Sequence, residues 1–285
     1  MRICRFNNNR LGVVEGESIR DVTEVLESLP AVRYPLPCFD PLIAHLGTLG
    51  PKLAAAARKG ERHAVASVKL LSPVANPGKV VAAPVNYKKH LEEALADKGI
   101  HHGNLVGEIQ KIGMFLKATS SLVGPGEGVR LIKTDRRNDH EVELAVVIGK
   151  SGRNIPKEKA MDYVAGYAIG LDITVRGPEE RSLRKSADSY CVLGPWLVTA
   201  DEFGDPSHTR LTLKVNGESR QDANTEDLVM PIPQLIEFMT SFYSLHPGDI
   251  LLTGTPQGVG PLKPGDVMDC WIERIGSMQV AVSAA

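Results

Sequence analysis

The spacing of apolar and polar positions divides the chain. Short β-like runs at residues 2–6, 11–14 and 18–22 are separated by Asn7-Asn8-Asn9 and Glu15-Gly16-Glu17, the pattern of a small antiparallel meander. Asp40-Pro41 ahead of Leu42-Ile43-Ala44 reads as an N-cap with proline at the first helical position. Residues 53–59 read as a second short helix closed by Gly60. Ser72-Pro-Val-Ala-Asn-Pro-Gly78 then interrupts all regular structure. This predicts a boundary near residue 75, with a small N-terminal α+β domain over 1–74 and a larger domain over 75–285.

Beyond the boundary, residues 79–83 read as a strand leading into a helical pattern over 86–99 that ends at Gly99. From Met114 onward the periodicity is mostly that of strands. They are expected at 114–118, 141–149, 163–174, 196–199, 210–215, 250–253 and 267–272, with one helix over 232–244. Strands without regularly interposed helices argue against a doubly wound sheet. The expected class is α+β, mainly β, and the chain shows no internal repeat or low-complexity tract.

Composition narrows the function. With 285 residues, 42% of them hydrophobic, the chain can bury a sizeable core. Its net charge of -1 gives no general attraction to phosphate backbones or anionic lipid. The first residues lack the apolar stretch of a signal peptide, and no apolar run approaches the roughly 20 residues needed to cross a bilayer. A cytoplasmic protein with neither nucleic-acid nor membrane partners is expected. Cys4, Cys38, Cys191 and Cys270 are scattered without a Cys-x-x-Cys pair, so they read as core thiols.

Candidate chemistry begins in Asp139-His-Glu-Val-Glu-Leu-Ala-Val-Val-Ile-Gly149. A period of two puts Glu141 and Glu143 on one face, about 7 Å apart along the backbone, where both carboxylates can converge on one ion. By itself Glu-x-Glu is an ordinary solvated strand end. The apolar run that follows is expected of a strand covered on both faces, so the acids border a cavity. Asp172 sits near the end of a second apolar strand. Three carboxylates at two strand ends make an oxygen-only site suited to Mg²⁺ or Mn²⁺. His140 points to the opposite face and reads as structural.

His90 and Glu93 are three apart on the helix after Asn86-Tyr87, close enough for the carboxylate to orient the imidazole and for the pair to take a proton from water. Arg176, Arg181, Arg184 and Lys185 form a basic stretch, a solvated loop by default. Lys185 is its candidate for stabilising an oxyanion. Thr253-Gly-Thr-Pro-Gln-Gly-Val-Gly260-Pro is not a P-loop, because it lacks Gly-Lys-Ser/Thr and Pro261 and Pro264 forbid a following helix. It reads as a tight loop whose backbone can approach a small ligand.

Over roughly residues 80 to 280 these segments together resemble the fumarylacetoacetate hydrolase family. The resemblance rests on Asn86-Tyr87 with His90 and Glu93, Phe115-Leu-Lys117 with Ser120-Ser121, Glu141-Val-Glu143-Leu, Asp172, Lys185 and Leu193-Gly-Pro-Trp196. It continues through Asn216-Gly217, Asn224-Thr225 and residues 247–260. It implies a mixed β-roll core, a homodimer, and one Mg²⁺ or Mn²⁺ per subunit on Glu141, Glu143 and Asp172. It further implies a catalytic His90–Glu93 dyad on a segment that orders over the substrate, Lys185 facing the ligand, and substrate contacts from Tyr87, Lys117, Arg176 and Thr255. The chain departs from the family at Leu171, where Asn is usual, and at Gly177, where Asp is usual.

The activity so implied is metal-dependent hydrolysis of a carbon–carbon bond in a 2,4-dioxo acid of the acylpyruvate type, releasing pyruvate and a carboxylic acid. Decarboxylation or isomerisation of a related oxo acid uses the same stabilised enolate. A protein that only binds an oxo acid is the third expectation.

Overall fold

A computed structural model of the protein describes residues 1–102, 107 and 109–285. Its largest sheet runs through Arg62–Ala64, Ser18–Asp21, Arg10–Glu15, Arg2–Phe6, Cys191–Thr199, Val164–Asp172, Val142–Ile148, Ile250–Leu252, Val80–Ala82 and Phe115–Lys117. Most neighbours are antiparallel, but Ile250–Leu252 runs parallel to Val80–Ala82, so the sheet is mixed. A second sheet comprises Glu218–Asn224, Arg210–Val215, Val267–Ile272, Gly276–Ala284 and Val129–Leu131. Three short strands, Thr174–Val175, Asn138–His140 and Gly260–Pro261, form a third. Helices are few, as the strand-rich pattern predicts, and no described helix is long and apolar enough to cross a membrane.

The N-terminal meander forms and extends the main sheet, because Arg2 pairs with Val198 and Ile3 with Leu197. It keeps an apolar cluster of its own, including Ile3, Leu11, Val13, Val22, Leu49 and Leu53. One expectation is corrected here. In place of two short helices, a single helix spans Pro41–Ala57 with Pro51 inside it. An internal proline costs about 3 kcal/mol, and burial of Leu42, Ile43, Leu49, Leu53, Ala56 and Ala57 offsets it. The predicted cap holds, with Asp40 Oδ1 accepting from the Ile43 N–H at 3.1 Å.

Two strands fix the place of the acids. Val142–Ile148 is wholly buried. Its Val142, Leu144, Val146 and Ile148 join one apolar cluster, and Ala145 and Val147 join another on the opposite face. Followed toward the strand's start, the Ala145 face reaches Glu143 and then Glu141. On Val164–Asp172, Tyr167, Ile169 and Leu171 enter the first cluster and Ala168 the second, so Asp172 shares the parity of Ala168. Val142 pairs with Leu171, which brings the acidic ends together. Gly170, opposite Glu143, leaves them room: a Cβ there would lie 2.6 Å from Leu252 Cδ2. The ends of Ile250–Leu252 and Val80–Ala82 and the start of Phe115–Lys117 collect at this same end of the sheet.

The cysteines are core thiols as expected, except that Cys38 is exposed. Burial pushes the Cys4 and Cys191 thiols up to about 12.

Candidate active site

One carboxylate oxygen from each of Glu141, Glu143 and Asp172 can be chosen so that all three lie within 4.8 Å of one another, and all three residues are buried. The oxygens are held from behind by cations. Lys185 Nζ donates to Glu141 Oε2 at 2.7 Å, to Asp172 Oδ2 at 2.7 Å and to Thr174 Oγ1 at 2.6 Å. Lys117 Nζ donates to Asp172 Oδ1 at 2.5 Å and also contacts the Lys185 carbonyl. Arg176 spans two acids, with Nη2 on Glu141 Oε1 at 3.0 Å and Nε on Asp139 Oδ2 at 2.8 Å. Glu143 takes an uncharged donor instead, the Gly254 N–H at 2.5 Å.

These surroundings separate the two glutamates. Burial acts to raise Glu141, but Lys185 and Arg176 outweigh it and hold its carboxyl down at about 2. Burial pushes Glu143 well above the usual carboxylate range, and the neighbouring charges of Asp172 and Glu141 push it the same way. Crowded carboxylates with mutually perturbed acidity and only oxygen donors suit a hard divalent cation, so Glu141, Glu143 and Asp172 fit such a ligand.

The helix Lys88–Ala96 covers this centre. His90 is buried, and its Nδ1 lies 2.8 Å from Glu93 Oε2. Glu93 is fixed in turn by the Gly258 N–H on Oε1 at 3.0 Å. With Nδ1 so engaged, Nε2 of His90 has no hydrogen-bond partner among the described residues. The helical pattern expected over 86–99 breaks at Asp97, which caps a further turn, Lys98–His101.

One cleft gathers most of the residues singled out from the sequence. His90, Glu141, Glu143, Asp172, Arg176, Lys185 and Thr255 line it, with an apolar wall that includes Ala83, Val85, Ala94, Ile100 and Phe115. The cleft together with its open mouth measures about 560 Å³. Glu93 stands behind His90 and is not in the lining. Lys117 and Tyr87 are buried outside the lining, and the Tyr87 hydroxyl has no hydrogen-bond partner among the described residues. His140 is buried on the far side of its strand, with Nδ1 3.2 Å from Gln221 Oε1.

Several contributors escaped the sequence reading. Asp139 shares the parity of Glu141 and Glu143, a signal that was available. Arg181 and Arg184 were read as a solvated loop, yet both line the cleft. At the two departures, Leu171 is core, and the space beside Gly177 is filled by Arg136, which pairs with Glu179 at 2.8 Å.

Known proteins share this architecture. The family model described as "Fumarylacetoacetate (FAA) hydrolase C-terminal" matches residues 79–283. The maleylpyruvate hydrolase of Aquipseudomonas alcaligenes is 59% identical over 284 residues, 99% of each chain. The crystal structure of maleylpyruvate hydrolase from Sphingobium sp. SYK-6, in complex with manganese (II) ion and pyruvate, superposes with a TM-score of 0.85 at 40% identity, covering 100% of both chains. A probable 2-hydroxyhepta-2,4-diene-1,7-dioate isomerase from Mycobacterium abscessus has a TM-score of 0.78 at 28% identity, covering 100% of this chain and 98% of the other.

Proposed function

The chain belongs to the fumarylacetoacetate (FAA) hydrolase family, and from that premise we propose that it hydrolyses the C3–C4 bond of a 2,4-dioxo acid of the acylpyruvate type. The products are pyruvate and a carboxylic acid. The observation that carries this reading is the meeting, in one cleft, of a three-carboxylate centre with a carboxylate-oriented histidine.

Glu141, Glu143 and Asp172 would hold one divalent cation, Mn²⁺ or Mg²⁺, per subunit. When bound, the cation supplies a Lewis acid that stabilises the negative charge developing on the 2-oxo oxygen. The remaining work falls to this chain's side chains. Glu93 accepts from Nδ1–H of His90, which fixes the tautomer and frees Nε2 to take a proton from the water that attacks C4. Positive charge from Lys185 favours the resulting oxyanion. When C3–C4 breaks, its electron pair passes to C3 and is delocalised as the enolate of pyruvate. C4 leaves as the new carboxylic acid, and return of a proton to C3 completes pyruvate. Arg176 and Thr255 contact the substrate, whereas Tyr87 and Lys117 support the site from behind.

Incubation of the Mn²⁺-loaded protein with acylpyruvates tests this reading. Loss of the dioxo absorbance should be matched by pyruvate, and His90→Ala should lower kcat by roughly 100-fold or more. The structural likeness to an isomerase favours a second reading, isomerisation of a related oxo acid. A His90→Ala variant that keeps most of its rate, with no pyruvate released, would select it.

The match beginning at residue 79, and the separate apolar cluster against Pro41–Ala57, support residues 1–74 as a small N-terminal unit and 75–285 as the catalytic one. Four free cysteines suit a reducing cytoplasm. We read the assembly as a homodimer, a state that light scattering reads directly.

A further inference from the structure

The cleft carries more positive charge than its near end uses. Arg176, Arg181, Arg184 and Lys185 all line it. Arg176 and Lys185 are bound to the acids of the centre. Arg184 is not: among the described residues no carboxylate lies within 4 Å of its guanidinium. Its Nε donates to the Glu179 carbonyl at 2.7 Å and its Nη1 to the Val175 carbonyl at 3.4 Å. Those two bonds aim the group, and Nη2 has no partner among the described residues. Arg184 is only 6% exposed. A guanidinium desolvated to this extent is costly without a paired anion; Arg176 and Arg181 add like charge, which the more distant Glu141 and Glu179 offset only in part. Arg181 stands close by, stacked over the Phe115 ring at 5.6 Å.

A divalent cation on the three acids makes the imbalance larger. The carboxylate and 2-oxo groups of an acylpyruvate answer charge at the centre only. Val85, Ala94, Ile100 and Phe115 line the same cleft as Arg184. An apolar wall in one cleft with a guanidinium that has no carboxylate partner among the described residues fits a short acyl chain that ends in an anion, and a carboxylate matches the planar fork. We propose that Arg184 is the specificity-determining residue that reads a second carboxylate at the far end of the substrate. This rests on the hydrolase reading above and names the residue that recognises the substrate's far end.

The test measures kcat/KM of the Mn²⁺-loaded enzyme for maleylpyruvate, which ends in a carboxylate, and for acetylpyruvate, which ends in a methyl group. Native enzyme should prefer maleylpyruvate by on the order of 100-fold, and Arg184→Met should remove most of that ratio. Arg184→Lys, which keeps the charge but not the fork, should land between the two and guards against collapse of the Met variant. Calorimetric titration with pyruvate reports whether each variant still folds and binds the near end. A ratio retained in Arg184→Met that binds pyruvate normally overturns the proposal, as does a native enzyme with no preference, and both leave the hydrolase reading standing. A native enzyme that binds pyruvate but cleaves neither compound overturns both.

Discussion

At the scale of residues, the two glutamates of the centre differ in partner and therefore in proton affinity. Glu141 faces Lys185 and Arg176 and stays ionised, whereas Glu143 is offered only the Gly254 N–H and is pushed well upward by burial, Asp172 and Glu141. A cation binds the ionised form, so its arrival must expel the proton that Glu143 retains. Affinity should therefore rise with pH while Glu143 is protonated, by up to about tenfold per pH unit. Calorimetric titration with Mn²⁺ in two buffers of different ionisation enthalpy at about pH 6 should reveal proton release. Equal heats in the two buffers, with affinity flat in pH, would count against this account. Much of the centre was legible at this scale, since the period of a strand identifies Glu141 and Glu143 as sharing a face. The cations behind them were less so. Arg176 meets Asp139 across 37 residues of sequence, and Arg184 reads as solvated until the fold buries it.

At the scale of elements, the Thr253-Gly-Thr-Pro loop shows why a glycine was needed. The sequence suggested a tight loop whose backbone approaches a ligand, and the backbone does approach the site, through the bond from Gly254 to Glu143. Gly254 has φ +103, and a Cβ there would sit 2.7 Å from Asn86 Cβ. Asn86 cannot yield easily, because its side chain is bonded to the Met230 and Thr253 carbonyls and to the Met230 N–H. Gly254→Ala should therefore destabilise the protein by about 2 kcal/mol or more and weaken Mn²⁺ binding together with it. Urea unfolding and a metal titration check the pair, and a variant with native stability and native affinity would show the loop to be slack. Strands with apolar runs were readable from sequence because both their faces are covered. Glu218–Asn224 was not, since its composition is polar and its place comes from pairing with Arg210–Val215. Asn216-Gly217, both at positive φ, was the available turn signal. The helix Pro41–Ala57 was divided in the sequence reading because local propensity at Pro51 ignores the buried face that carries the chain through it.

At the scale of the whole molecule, the sheet is closed by pairings that no local pattern reveals, such as Arg2–Phe6 on Cys191–Thr199. Two neighbouring strands of that sheet bring the like charges of Glu141, Glu143 and Asp172 to one buried centre, and its electrostatics become a property of global stability. A carboxylate whose folded pKa is raised contributes stability that is fully present below the ordinary carboxylate range. That contribution is lost as pH rises through the folded value. Glu143 is such a group, so without cation the protein should soften as pH climbs, and bound cation should cancel the loss. Saturation at about 100 times Kd is worth roughly 2.7 kcal/mol, which for a chain of this size raises Tm by roughly 5–10 °C. The gap between Mn²⁺-loaded and chelator-treated protein should widen from about pH 6 to about pH 8, because the proton on Glu143 competes less as pH rises. Differential scanning calorimetry at both pH values, on native protein and on Glu143→Ala, separates the causes. The variant removes both the strained carboxylate and a ligand, so its apo form should lose the softening with pH and its metal-dependent gap should shrink. A native gap that is absent, or independent of pH, would mean that the three carboxylates do not couple cation binding to the fold.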